Sequence, residues 1–195
     1  MSTTDFEIID GLLASYNGND KTVLIPNSVT LIKGGAFSEC DGVETVIIES
    51  QNITVASNAF KDCKTLKKVE FGTGNVKIKK GAFDGCIKLK MIEISENTEI
   101  EDGTFDDLTE LTRVIFTKGT KRITSIPHLK RVNDIVIPST VTYISEGAFG
   151  NYAKSIYAMT VKPFFGYPKG WHKHFCRADA RLVWEKKAKL FRKNK

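Results

Sequence analysis

The 195-residue chain has no apolar stretch of the roughly 20 residues that a membrane-spanning helix requires. Its opening residues, Met-Ser-Thr-Thr-Asp-Phe-Glu-Ile-Ile-Asp, lack the basic segment and apolar run of a secretory leader. Two expectations for location follow: the cytoplasm for the sequence as it stands, or the cell surface or exterior if a leader is processed away. Cysteine is sparse, with four residues and no Cys-x-x-Cys pair, which argues against a zinc ribbon and a disulfide framework alike. No converging Ser-His or Cys-His set marks a catalytic centre, so an enzyme is not expected. Acidic residues are nearly missing from the C-terminal quarter. Residues 151–195 hold 12 Lys or Arg against 2 Asp or Glu, whereas residues 1–150 hold 17 against 21. The net charge of +6 therefore describes one end of the chain and not a fold-wide nucleic-acid surface. A hydrophobic content of 41% with 27% charged residues suits one compact domain.

What is present is repetition. Gly35-Ala36-Phe37 recurs as Asn58-Ala59-Phe60, Gly81-Ala82-Phe83, Gly103-Thr104-Phe105 and Gly147-Ala148-Phe149. Successive Phe residues are 23, 23, 22 and 44 apart, the last being two periods, and Ile126 stands where the missing anchor is expected. Apolar residues follow each anchor at +3, +6, +9 and +11, for example Cys86, Leu89, Ile92 and Ile94 after Phe83. Ile126 keeps this register through Leu129, Val132, Ile135 and Ile137. After Phe149 the pattern drifts, through Tyr152, Ile156, Met159 and Val161. The last two positions of each set are two residues apart, the spacing of a strand with one buried face. A second apolar pair precedes most anchors, such as Ile53 and Val55 or Val76 and Ile78. Each unit thus reads as a short strand, a bend, a second extended stretch and a tight Ala-Phe turn. One such unit buries too little to offset its ordering entropy, so the units must stack.

These units resemble the BspA-like, or treponemal-type, leucine-rich-repeat family. The stretch Ile78-Lys79-Lys80-Gly81-Ala82-Phe83-Asp84-Gly85-Cys86-Ile87-Lys88-Leu89-Lys90-Met91-Ile92-Glu93-Ile94 carries the likeness most fully, and it extends over residues 6–184. The expected fold is an α/β-type leucine-rich-repeat solenoid of mostly short parallel β-strands with brief helical or 3-10 turns, in about six coils of 21–23 residues. The resemblance implies an N-terminal cap over 1–26, a solenoid over 27–161, and a C-terminal aromatic cap over 162–185 holding Trp171 and Trp184. Residues 186–195 then read as a basic disordered tail. The family likeness also implies binding to proteins or host surfaces.

Candidate functional positions come from the alternation. Residues at +10 should face away from the core: Leu24, Ile47, Glu70, Glu93, Ile115 and Val136. At +8 stand Thr45, Lys68, Met91, Arg113 and Asp134. Strand propensity alone could place β-branched residues there, but a column of aliphatics on a wet face suggests a partner surface. Glu70 and Glu93 should be neighbours, with Lys68 and Arg113 beside them to neutralise the pair. The expected ligand on Leu24, Ile47, Lys68, Glu70, Met91, Glu93, Arg113, Ile115 and Val136 is a protein or a surface glycan. The other reading is an adaptor for nucleic acid or anionic lipid through Lys186, Lys187, Lys189, Arg192, Lys193 and Lys195. No small-molecule cofactor is expected. Cys40, Cys63 and Cys86 form one column, read as small buried hydrophobes and not as metal ligands. His172, His174 and Cys176 alternate on one face, but without an evident fourth ligand they read as the polar rim of the cap.

Overall fold

A computed structural model describes residues 5–95, 97–101, 104–105, 108–123, 132–149, 154–159, 168–175 and 180–184. A hairpin of β1 (Phe6–Ile9) and β2 (Leu12–Tyr16) leads into β3 (Thr22–Ile25) and β4 (Leu31–Ile32). Then come β5 (Thr45–Ile48), β6 (Asn52–Val55), β7 (Lys68–Phe71), β8 (Asn75–Ile78), β9 (Met91–Ile94) and β10 (Thr98–Ile100). The series continues with β11 (Arg113–Phe116), β12 (Arg122–Ile123), β13 (Asp134–Ile137), β14 (Tyr143–Ile144), β15 (Ser155–Ala158) and β16 (Arg181–Trp184).

The odd-numbered strands from β3 to β15, with β16 at the end, form one parallel sheet of eight. The even-numbered strands from β2 to β10 form a second parallel ladder, to which β1 adds antiparallel, while β12 and β14 pair separately. The chain is therefore a β-solenoid of about six turns. Inward positions align from coil to coil: Val46 on Val69, Val69 on Ile92, Ile92 on Val114 and Val114 on Ile135. All five are buried, because each four-residue strand offers two side chains to the interior and two to the outside.

The Ala-Phe turns add a third column of contacts. Tyr16, Phe37, Phe60 and Phe83 stack in series, with ring centroids 5.1, 4.7 and 5.3 Å apart. The backbone reaches across the coils here as well: Phe37 N–H donates to Ala59 O at 2.9 Å and Phe60 N–H to Ala82 O at 2.9 Å. The residue before each Ala has a positive φ, +83° at Gly35, +61° at Asn58, +73° at Gly81 and +63° at Gly147. Glycine and asparagine are the residues that tolerate this conformation, which accounts for the Gly/Asn alternation of the motif.

Two expectations need correction. The brief helical turns are not what joins the strands: the segments around Ala36-Phe37, Ala59-Phe60 and Ala82-Phe83 are successive β-turns, with no α-helix among the described residues. Alternate N–H groups donate to the next coil, as Gly35, Phe37 and Glu39 do, while Ala36, Ser38 and Cys40 donate three residues back, so single turns close and no continuous helical ladder forms. The second correction concerns the sixth coil. Ile156 and Ala158 pair with Ile135 and Ile137 and fill the inward slots, so Met159 lies beyond the strand. The link between Phe149 and β15 is two residues shorter than in a regular coil, and this produced the apparent drift. Ile126, Leu129, Tyr152 and Val161 lie outside the described residues. Among the described residues no helix is long and apolar enough to cross a membrane.

Candidate functional site

The outer face of the eight-stranded sheet is assembled by the register. Leu24 lies beside Ile47, Ile47 beside Glu70, and Glu70 beside Glu93. Ile115 then joins Glu93 to Val136. In the parallel column, Thr45, Lys68, Met91, Arg113 and Asp134 are paired in the same way. Every one of these side chains is half-buried except Leu24, which is exposed. Half-burial is the mark of an outward sheet position whose flanks are covered by its own neighbours.

Two ion pairs lie on this face. Lys68 and Glu70 form an ion pair along β7, two residues apart on one side of the strand. The Arg113 guanidinium contacts Asp134 Oδ2 at 3.2 Å, across the β11–β13 boundary. The Lys68–Glu70 and Arg113–Asp134 pairs thus stand on the strands around the Glu70–Glu93 register pair. A further row runs along the rim, where Glu44 lies between Lys21, at 3.7 Å, and Lys67, at 2.8 Å. The hydrogen bond and charge of Lys67 hold the Glu44 carboxyl below the usual carboxylate range.

The column runs further than the motif spacing suggests. Tyr157 pairs with Val136 and Val183 pairs with Tyr157, both more than nine-tenths buried though they belong to outward positions. Together with Val136 and Met159 they make a small apolar cluster apart from the main core. Val136 is thus outward yet already packed, and the open aliphatics are Leu24, Ile47 and Ile115. The two-residue shortening after Phe149 hid Tyr157, and Val183 lies in the cap segment, past the last Ala-Phe unit.

A family model described as the BspA type leucine-rich-repeat region matches six copies, over residues 14–128 and 127–162. The chain belongs to the BspA-type leucine-rich-repeat family. The T. pallidum leucine-rich-repeat protein superposes with a TM-score of 0.54 at 20% identity, covering 81% of this chain and 85% of that one. A leucine-rich cell surface protein from Faecalibacterium prausnitzii gives a TM-score of 0.47 at 21% identity, over 89% of this chain and 50% of that one. Identities this low speak to fold alone. Comparison with curated proteins gives no match.

Within these BspA-type coils the cysteine column has a structural use that composition does not reveal. The Cys63 thiol donates to the Phe37 carbonyl at 2.8 Å, and the Cys86 thiol to the Phe60 carbonyl at 3.0 Å. Each thus satisfies a backbone acceptor of the preceding coil from inside the core. The Cys40 thiol pulls the Cys63 pKa down, but the Cys86 thiol and burial outweigh it and push Cys63 up to about 12. For Cys40 the Cys63 thiol, burial and Asp41 all act upward. Neither is a thiolate near neutral pH, and neither has the chemistry of a nucleophile.

On the second ladder, Asn75 Nδ2 donates to Asn52 Oδ1 at 2.7 Å, and Thr30, Thr54, Lys77 and Glu99 line the groove beside them. Glu101 sits at the same side, its carboxyl held low by a 2.6 Å contact from Lys79 and by the Lys80 N–H. These are neighbour-to-neighbour contacts that zip one coil to the next. The six basic residues from Lys186 to Lys195 and the third member of the His-x-His-x-Cys string, Cys176, lie outside the described residues.

Proposed function

We propose that this BspA-type chain is a non-catalytic binding module that takes a protein partner on the outer face of its eight-stranded sheet. The observation that carries the reading is the in-register column Leu24, Ile47, Glu70, Glu93, Ile115, with the Lys68–Glu70 and Arg113–Asp134 pairs beside it. Aliphatic anchors supply affinity, and charges alongside set register and exclude wrong partners. The face is built on hydrogen-bonded strands, so it is pre-formed and loses little entropy on binding. Between Leu24 and Ile115 the column has no aromatic platform on which a sugar ring could stack, which favours a protein over a surface glycan.

The test is the double substitution Ile47→Lys with Ile115→Lys. Both side chains point away from the core, so the variant should fold, with its thermal midpoint within a few degrees of the wild type. It should lose the protein that the wild type captures from its native host, and that protein should shield amides of β5 to β11 from hydrogen exchange. Retained capture by the folded variant moves binding elsewhere, and unfolding of the variant would mean that the two isoleucines are core residues. The basic C-terminal stretch supports the alternative of a nucleic-acid or anionic-lipid contact. Salt separates the two: binding through six Lys and Arg falls steeply with ionic strength, whereas an aliphatic face responds little.

A further inference from the structure

Two of the three histidines in the chain, His172 and His174, stand two residues apart in a segment that the repeat pattern does not explain. The solenoid brings that segment against the turn before the last Ala-Phe motif. Ile144 and Trp171 form a parallel bridge, His172 N–H donates to Ile144 O at 2.8 Å, and Gly147 N–H donates to His174 O at 2.8 Å. These two bonds clamp the backbone on either side of Glu146. The Glu146 carboxylate then faces both rings, with Oε2 at 3.7 Å from His172 Nε2 and Oε1 at 3.9 Å from His174 Nδ1. One ligand atom from each of the three residues lies within 4.8 Å of the other two.

We propose that Glu146, His172 and His174 form a binding site for a divalent transition-metal ion of the zinc class, with solvent completing the coordination. Two imidazole nitrogens and one carboxylate oxygen are a borderline donor set, suited to zinc, nickel, cobalt or copper and poorly suited to calcium or magnesium. Bonds of about 2.0–2.2 Å to such an ion require the donor atoms to approach to roughly 3.3–3.5 Å. The closure needed is small, and the side chains that must move are exposed or half-exposed at their tips, on a backbone already held in place. His172 Nδ1 accepts the His174 N–H at 3.2 Å. Coordination through Nε2 places the ring proton on Nδ1, so binding gives up this one long hydrogen bond. The sequence alone offers His172, His174 and Cys176, and no ligand from another segment. Glu146, 26 residues earlier, becomes the third donor only because the strand pairing brings the two segments together. An ion held here ties the last Ala-Phe turn to the C-terminal segment and stabilises the end of the solenoid where regular repetition stops.

The experiment is a calorimetric titration of the full chain with zinc alone and with nickel alone, beside thermal unfolding at saturating metal. The expected result is one ion per chain, a midpoint raised by several degrees, and no such rise with magnesium. His172→Ala and His174→Ala should each weaken affinity at least tenfold and Glu146→Gln by a smaller factor, with metal-free midpoints unchanged. In the unaltered protein, cobalt should broaden the ring resonances of His172 and His174. Equal affinity in the wild type and a His172→Ala/His174→Ala double variant would overturn the proposal. Broadening of other groups in place of these two rings would overturn it independently of any variant.

Discussion

At the residue scale, the Ala-Phe column decides stability. Phe83 is fully buried and lies nearly parallel to Phe60, at 10° and 5.3 Å. Phe83→Ala should cost ~3–5 kcal/mol, because intact coils on both sides cannot collapse into the cavity. Urea unfolding measures it, with Ile87→Ala, at a half-exposed site in the same coil, as the near-neutral control. A loss below a kilocalorie would mean that the Phe is not the packing centre of its coil. This column could be read from the sequence because each coil repeats the same volume at the same step, so inward and outward positions separate by simple alternation. Tyr16 could not be read as its first member, since no Gly-Ala precedes it; only its ring stacking and its N–H bond to Ala36 O reveal the role. The thiol–carbonyl bonds of Cys63 and Cys86 were equally hidden, because a buried cysteine reads as a hydrophobe until its acceptor is seen.

At the element scale, the coils are unequal. The second ladder runs without a break from β2 to β10, and then β12 and β14 form a pair of their own. In that pair each strand is two residues long, whereas β6 and β8 hold four-residue partners in register along their length. In the sequence the fifth unit carries Ile126 at the position where the others carry Phe. Local opening follows the loss of packed contacts and ladder hydrogen bonds, so amides over 118–134 should exchange faster than those over 78–94. Hydrogen exchange read by mass spectrometry checks this, and equal or slower exchange in the fifth coil would refute it. The irregularity was partly legible: the missing Phe and the run Lys118-Gly119-Thr120-Lys121-Arg122 mark the place. What the run conceals is that Ile123 and Thr120 are buried all the same, the polar threonine inside and the Lys and Arg outside. The sixth coil misled for a different reason, since a shortened link shifts the phase of every later residue and no local signal announces it.

At the scale of the whole molecule, a solenoid is stabilised by neighbours, so each coil depends on the one before and the one after. Its charge is divided along the same axis: residues 1–150 carry a slight acidic excess, and residues 186–195 carry six positive charges and no acid. Those ten residues continue no repeat, and like charges at such density repel one another, which opposes docking against the stack. β16 ends at Trp184 and pairs with β15 over its four residues, the last strand among the described residues. A chain ending at Glu185 should therefore unfold within a few degrees of the full-length midpoint in a calorimetric scan. It should also keep its protein partner while losing any salt-sensitive attachment to DNA or to phosphatidylserine vesicles. A large drop in the midpoint would show that the basic residues pack against the last coil and complete it. Loss of the protein partner on truncation, with Ile47→Lys and Ile115→Lys without effect, would transfer the binding function from the strand face to the tail.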